Sequence, residues 1–220
     1  IDYYMPENGV YHNLILAKIK TFYPGHASQM MHAFWGVGQM SFVKHAIFVN
    51  DDAPALTDHD GIIKYILNRI DIDDMLVSKG VIDALDHTSP KFAVGGKLGL
   101  DCTGDEIAEL GITILEDEDL LKRMQNITND VKNLKQYFTD TKNPITVISV
   151  DKTRNQKFLF EDLKPLFGYI KILIIVDNAK NDVNNPYMLV WRVANNIDSN
   201  RDLYIDDNTI CLDATNKNSF

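Results

Sequence analysis

Cysteine is nearly absent from this chain: Cys102 and Cys211 are the only two in 220 residues. Two thiols cannot build a disulfide framework, so the fold must rest on a hydrophobic core, and a reducing compartment suits it. Both lie in apolar, strand-like runs and read as small buried residues. No apolar run approaches the roughly 20 residues of a membrane-spanning helix. Positive charge is short as well: 22 Lys and Arg stand against 31 Asp and Glu, a net charge of −9. That excludes a broad nucleic-acid face, which needs clustered cations, but leaves room for a pocket holding one phosphate. There is no phosphate loop, no dinucleotide-binding glycine fingerprint, no nucleophile elbow and no calcium loop. The histidines, at 12, 26, 32, 45, 59 and 87, show no metal-ligand spacing. The acids of "DDAPALTDHD" and "DIDD" read as solvated caps rather than a cation site. The first residues, "IDYYMPENGVYHN", have neither an initiator Met nor a signal peptide and open inside structured-looking sequence, which points to a fragment of a longer protein.

What is present is a repeat. "LDCT" at 100–103 returns as "LDAT" at 212–215, and "KHAIFVND" at 44–51 falls on "KILIIVDN" at 171–178 when the chain is shifted by 127. The second match runs without a gap from Lys44 to Leu76, with Ile47, Val49, Asn68, Ile70 and Asp71 also identical. Helix punctuation agrees with it. Thr57 with Asp60 resembles a capping box ahead of "GIIKYILNRI". Asn185-Pro186 is an N-cap with proline at the first helical position ahead of "YMLVWRVANNI". Pro186 aligns with His59, so both helices start in one register.

Each copy then reads strand–helix–strand–helix–strand, with a final strand carrying the echo. The first strands are expected at 12–20 and 144–152, and the first helices at 24–36 and 157–168. The fold class is α/β: duplicated strand–helix–strand–helix–strand units joined by a long amphipathic helix. That helix is predicted over 116–138, where Leu120, Met124, Ile127, Val131, Leu134 and Phe138 repeat at steps of four and three. Its stripe is expected to pack on the protein's own sheets, with a dimer contact as the alternative. The domain boundaries follow: copy one at 1–105, a linker with the helix at 106–142, and a degenerate second copy at 143–220.

The copies differ in one place. Copy one carries a loop at 77–97, including "VIDALDHTSPKFAVGGK", that copy two lacks. Loops on a rigid scaffold carry function, and adjacent glycines allow close approach of a ligand or another chain.

Three stretches of copy one, "YMPENGVYHNLILAKIKTFYPGHA", "WGVGQMSFVKHAIFVNDD" and "IDALDHTSPKFAVGGKLGLDCT", resemble in order and spacing the C-terminal region of the UbiD family of carboxy-lyases. The resemblance implies an oligomerising, pocket-closing region of a non-oxidative decarboxylase acting on an aromatic acid of hydroxybenzoate or dihydroxynaphthoate type, in ubiquinone or menaquinone biosynthesis. It implies prenylated FMN with a divalent metal and potassium, bound mainly by a preceding flavin domain, so neither catalytic residues nor metal ligands are expected here. The implied partners are that N-terminal domain, further copies of the chain and an aromatic carboxylic acid; the location would be cytoplasmic, membrane-peripheral at most. Lys44, in the Ser-Phe-x-Lys stretch, would reach the flavin phosphate, and Ile82 and Leu85 would line the substrate. The chain departs from the family pattern at Asn50, where copy two keeps Asp177, and after Asp101, where copy two keeps "DATNK". The alternatives are a purely structural assembly domain and a small-molecule-binding regulatory module.

Overall fold

The computed structural model describes residues 2–9 and 13–217. His12, and with it the start of the strand expected at 12–20, lies outside them, as do the last three residues of the second copy. The chain forms two compact units, one of Ile1–Ala108 with Asp198–Arg201 and one of Glu109–Ile197 with Asp202–Phe220.

The first unit holds β1 (Asp2–Tyr4), β2 (Leu14–Ile19), α1 (His26–Trp35), β3 (His45–Asn50), α2 (His59–Leu67), β4 (Met75–Val81) and β5 (Val94–Cys102). Its sheet is ordered β1-β2-β3-β5-β4, with β2, β3 and β5 parallel and the two edge strands antiparallel. The second unit holds α3 (Asp117–Ile127), β6 (Val131–Tyr137), β7 (Ile145–Val150), α4 (Gln156–Leu163), β8 (Ile172–Asp177), α5 (Pro186–Asn196), β9 (Leu203–Asp206) and β10 (Thr209–Asp213). Its sheet is ordered β6-β7-β8-β10-β9, with the same senses throughout. The expected duplication is therefore the architecture of the molecule. His45 pairs with Leu98, and Ile172 with Ile210. One register thus produces both sequence offsets, 127 upstream and 112 at the strand end.

Alternation along the strands explains why they are almost wholly apolar. Ile148 and Val150 turn toward Leu120 and Met124 of α3 and Leu159, Phe160 and Leu163 of α4. Val147 and Val176 turn the other way, toward Leu189 of α5 and Ile197. A parallel sheet covered on both faces needs apolar residues at successive positions. In the first unit α1 lays Ala27 and Met31 on Ile15, Ala17, Ala46 and Phe48. Helix α5 starts at Pro186, with Asn185 accepting from the Met188 N–H at 3.2 Å. Helix α2 starts at the matching His59, but its cap is Asp58, accepting from the Gly61 N–H at 3.2 Å, rather than Thr57.

The helix predicted over 116–138 is shorter than the stripe suggested. It ends at Ile127, and Val131–Tyr137 is an edge strand antiparallel to β7. Thr128 leaves helical geometry at φ −150°, and its hydroxyl accepts from the Asp130 N–H at 3.2 Å. The strand mimics a helix because a bulge lies between Val131 and Asn133. One extra residue lets Val131 and Leu134, three apart, both reach the core, where a regular strand would demand an even spacing. The stripe does pack on the protein's own sheet. The counterpart edge strand β1 was also unforeseen; three residues carry too little pattern to read.

Candidate functional site

Strands β3 and β5 bring two lysines together. The Lys44 carbonyl accepts from the Leu98 N–H at 2.8 Å, so Lys44, just before β3, and Lys97, within β5, sit side by side. Both are 1% exposed. Lys97 Nζ donates to the carbonyls of Ser41 at 2.6 Å and Val43 at 2.7 Å. Its stem runs past Gly80, where a Cβ would lie 3.2 Å from Lys97 Cε. Burial, with the neighbouring Lys44 charge adding to it, pulls the Lys97 ammonium down to about 8.

Lys44 faces a different partner. Its Nζ donates to Asp86 Oδ1 at 2.7 Å and Thr88 Oγ1 at 2.9 Å. Asp86 belongs to the twelve-residue connection 82–93 of the β4–β5 hairpin. The other carboxylate oxygen, Oδ2, accepts from the Thr88 N–H at 3.2 Å, the Ser89 N–H at 3.0 Å and Ser89 Oγ at 2.7 Å. Burial would raise this carboxyl, but the Lys44 charge and these hydrogen bonds override it and hold it at about 2. The loop's neck is closed by the Ile82 N–H on the Ala93 carbonyl at 3.2 Å, with Ala93 in the left-handed region at φ +54°.

Of the residues expected to line a substrate, Ile82 is 1% exposed and lies inside the unit, while Leu85 is 88% exposed, as is Phe92 of the same loop at 80%. The two do not share a surface in this conformation. The close approach allowed by Gly95-Gly96 is made by the chain itself. The Gly96 N–H donates to Asp198 Oδ2 at 3.0 Å, and a Cβ on Gly96 would meet the Ser199 nitrogen at 2.6 Å. On Gly95 it would meet Ser89 Oγ at 2.6 Å. Sequence reasoning passed over Asp86 and Lys97. "DHTS" at 86–89, an Asp followed by Thr and Ser two and three positions on, is a local capping pattern and was the available signal for Asp86.

The echo at the strand ends is structural. Asp101 Oδ1 accepts from the Thr103 N–H at 3.0 Å and Thr103 Oγ1 at 2.6 Å; Asp213 Oδ1 accepts from Thr215 at the same two distances. Each turn takes its strand out of the sheet. The second copy adds Lys217, 2.8 Å from Asp213 and 3.3 Å from Asp202. In the first copy the Gly104 carbonyl instead accepts from Arg69 Nε at 3.2 Å. Cys102 and Cys211 are buried thiols pushed up by burial, without the thiolate character reactivity needs. Among the described residues no group of three or more His, Cys, Asp or Glu is placed to hold a metal ion, and no helix is long and apolar enough to cross a membrane.

The sequence profile of the 3-octaprenyl-4-hydroxybenzoate carboxy-lyase C-terminal domain, UbiD_C, matches residues 1–102 and 112–218. An uncharacterized protein of Helicobacter pylori strain J99 is 55% identical over 99% of the chain, which spans only 35% of that relative's length. Among solved structures, the UbiD-class enzyme HmfF from Pelotomaculum thermopropionicum in complex with FMN aligns with a TM-score of 0.42 at 21% identity, over 46% of this chain and 22% of that one. An evolved dimeric form of HmfF in complex with prFMN aligns with a TM-score of 0.41 at 15% identity, over 67% and 41%.

Proposed function

Because the chain belongs to the UbiD family, as its C-terminal domain, we propose that the full-length protein is a non-oxidative carboxy-lyase for an aromatic acid and that this region drives its assembly and closes its pocket. The observation that carries this reading is the family match across both copies. The substrate is of hydroxybenzoate or dihydroxynaphthoate type, which places the enzyme in quinone biosynthesis and in the cytoplasm. Prenylated FMN, with a divalent metal and potassium, binds mainly in the preceding domain. Loss of carbon dioxide leaves an electron pair on carbon, and the flavin, when bound, would supply an acceptor for it. The portion 1–220 alone is inactive.

Within this region Lys44 is the cofactor contact and Ile82 and Leu85 the substrate-facing residues. An ammonium is suited to a phosphate dianion as a mobile point charge. In the full-length protein Lys44→Ala weakens flavin retention by roughly 1.5–3 kcal/mol, the range for a hydrogen bond to a charged group. Lys171→Ala, at the matching position of the second copy, leaves it unchanged. Flavin content of the purified variants and turnover of the two acid classes test the reading; equal retention in all variants would remove Lys44 from the cofactor site.

A second reading, an assembly domain with no part in the pocket, is favoured by one observation: Lys44 is buried and already paired with Asp86. Under it, Lys44→Ala lowers stability without altering flavin affinity.

A further inference from the structure

The contact between Lys44 and Asp86 is lopsided. The carboxylate keeps three of its bonds within its own loop, to the Thr88 N–H, the Ser89 N–H and Ser89 Oγ. Wherever the loop goes, those bonds go with it. Among the described hydrogen bonds, Lys44 Nζ ties this knob to the sheet, through Asp86 Oδ1 and Thr88 Oγ1, and Ser89 Oγ rests against Gly95 of β5. Leu85, Lys91 and Phe92, elsewhere on the loop, are exposed. At the neck, the Ile82–Ala93 bond and the turn from Lys91 to Val94 hold the ends together. Lifting the tip therefore breaks the buried Lys44–Asp86 ion pair and the Lys44–Thr88 contact, and leaves the carboxylate its bonds to Thr88 and Ser89.

The charge balance is also uneven. Lys44 and Lys97 are near enough for each to oppose the other's charge, and Asp86 is the carboxylate that acts on both. Lys97 itself rests on two neutral carbonyls. Two ammoniums against one carboxylate leave an excess positive charge in a buried place. A dianion in the position of Asp86 neutralises both lysines, which a single carboxylate does not.

We propose that Asp86 is the internal ligand of an exchangeable anion site, and that a phosphate monoester dianion takes its place on Lys44 when the loop 82–93 lifts. This deepens the reading of Lys44 as a phosphate contact and rests on it. The loop is then a latch: it seals the lysine pair while no phosphate is present and swings clear, with Leu85 and Phe92, when one arrives. Because the site must first open, the affinity measured for phosphate is reduced by the fraction of molecules that are closed.

The test uses the full-length protein, freed of flavin, and trypsin nicking after Lys91 as the readout of a lifted loop. Inorganic phosphate, titrated against chloride at constant ionic strength, raises the nicking rate to a plateau in the wild type. Asp86→Asn nicks at the raised rate without phosphate and binds FMN at least about tenfold more tightly, the factor for removing a closed state populated ten to one or more. Lys44→Met also nicks fast and ignores phosphate. FMN acting where riboflavin does not identifies the flavin's phosphate as the ligand; phosphate acting where FMN does not identifies a free anion. A wild-type nicking rate indifferent to both phosphate and FMN overturns the latch, and needs no variant to fold. If Lys44→Ala loses flavin while nicking stays indifferent, the cofactor contact stands and the latch falls. If phosphate drives nicking but Lys44→Ala retains flavin, the anion site stands and the cofactor contact falls.

Discussion

The hairpins that close the two sheets are built from corresponding strands and end differently. Strands β9 and β10 are joined by Asp207 and Asn208 alone, with Asp207 in the left-handed region at φ +48° that such a tight turn requires. Strands β4 and β5 run on for several more residues and are joined by the twelve of the loop 82–93. The short hairpin has no counterpart of Asp86. Lys171 therefore precedes its strand as a half-buried residue, while Lys44 precedes the equivalent strand fully enclosed. The same lysine, ahead of the same strand, becomes a buried charge in one copy only because a loop was laid over it. Duplication conserved the scaffold, and the difference in loop length changed the electrostatics.

The largest effect that follows from this contrast is on stability. Lys44→Ala leaves Asp86 buried without its cation, and breaking such a pair destabilises by about 3–5 kcal/mol. Lys171→Ala removes a half-buried side chain and shifts stability by no more than about 0.5 kcal/mol. Urea unfolding of the full-length variants measures both. A pair of equal, small losses would mean that the loop does not enclose Lys44 in solution, and the contrast between the copies would collapse.

The next effect sharpens the comparison through pH. Lys97 has a folded-state value of about 8, below the ordinary 10.5. Between those values the unfolded chain binds the proton and the folded chain does not, so stability rises with pH across that window. Below pH 8 the full penalty is present, and a shift of this size corresponds to about 3 kcal/mol. Lys97→Met abolishes the rise between pH 8 and 10.5. A wild-type melting temperature that stays flat or falls across this range, with no difference from Lys97→Met, would show that the ammonium is not buried.

Much of the scaffold was legible because the chain states it twice. The aligned helix starts at His59 and Pro186, and the apolar strands at β3 and β8, could be checked against each other. Elements without that support were misread. The bulge at Val131 gave an edge strand the spacing of a helix, and β1 is too short to show a period. The site was half legible for a similar reason. Lys44 stands out in a repeated strand, but the partner that encloses it lies in the unrepeated loop, 42 residues on. The contact that fixes Gly96 spans 102 residues. No local pattern reports a pairing at that distance.

The smallest effect concerns the echoed strand ends, where the copies should behave alike. Thr103 and Thr215 each donate a hydroxyl to the preceding Asp at 2.6 Å, and each backbone N–H donates to the same oxygen at 3.0 Å. Replacing either Thr by Val keeps the shape and the backbone bond but removes the hydroxyl. The net loss for one such bond is about 1 kcal/mol. The surroundings differ: Asp213 also holds Lys217, whereas in the first copy the adjoining Gly104 carbonyl is held by Arg69. If the echo is only a turn, Thr103→Val and Thr215→Val lose the same amount, within about 0.5 kcal/mol, in urea unfolding of the full-length protein. A Thr215→Val loss several times larger would mean that the hydroxyl also organises the Asp213–Lys217–Asp202 network, and that the second copy's strand end has taken on a task the first lacks.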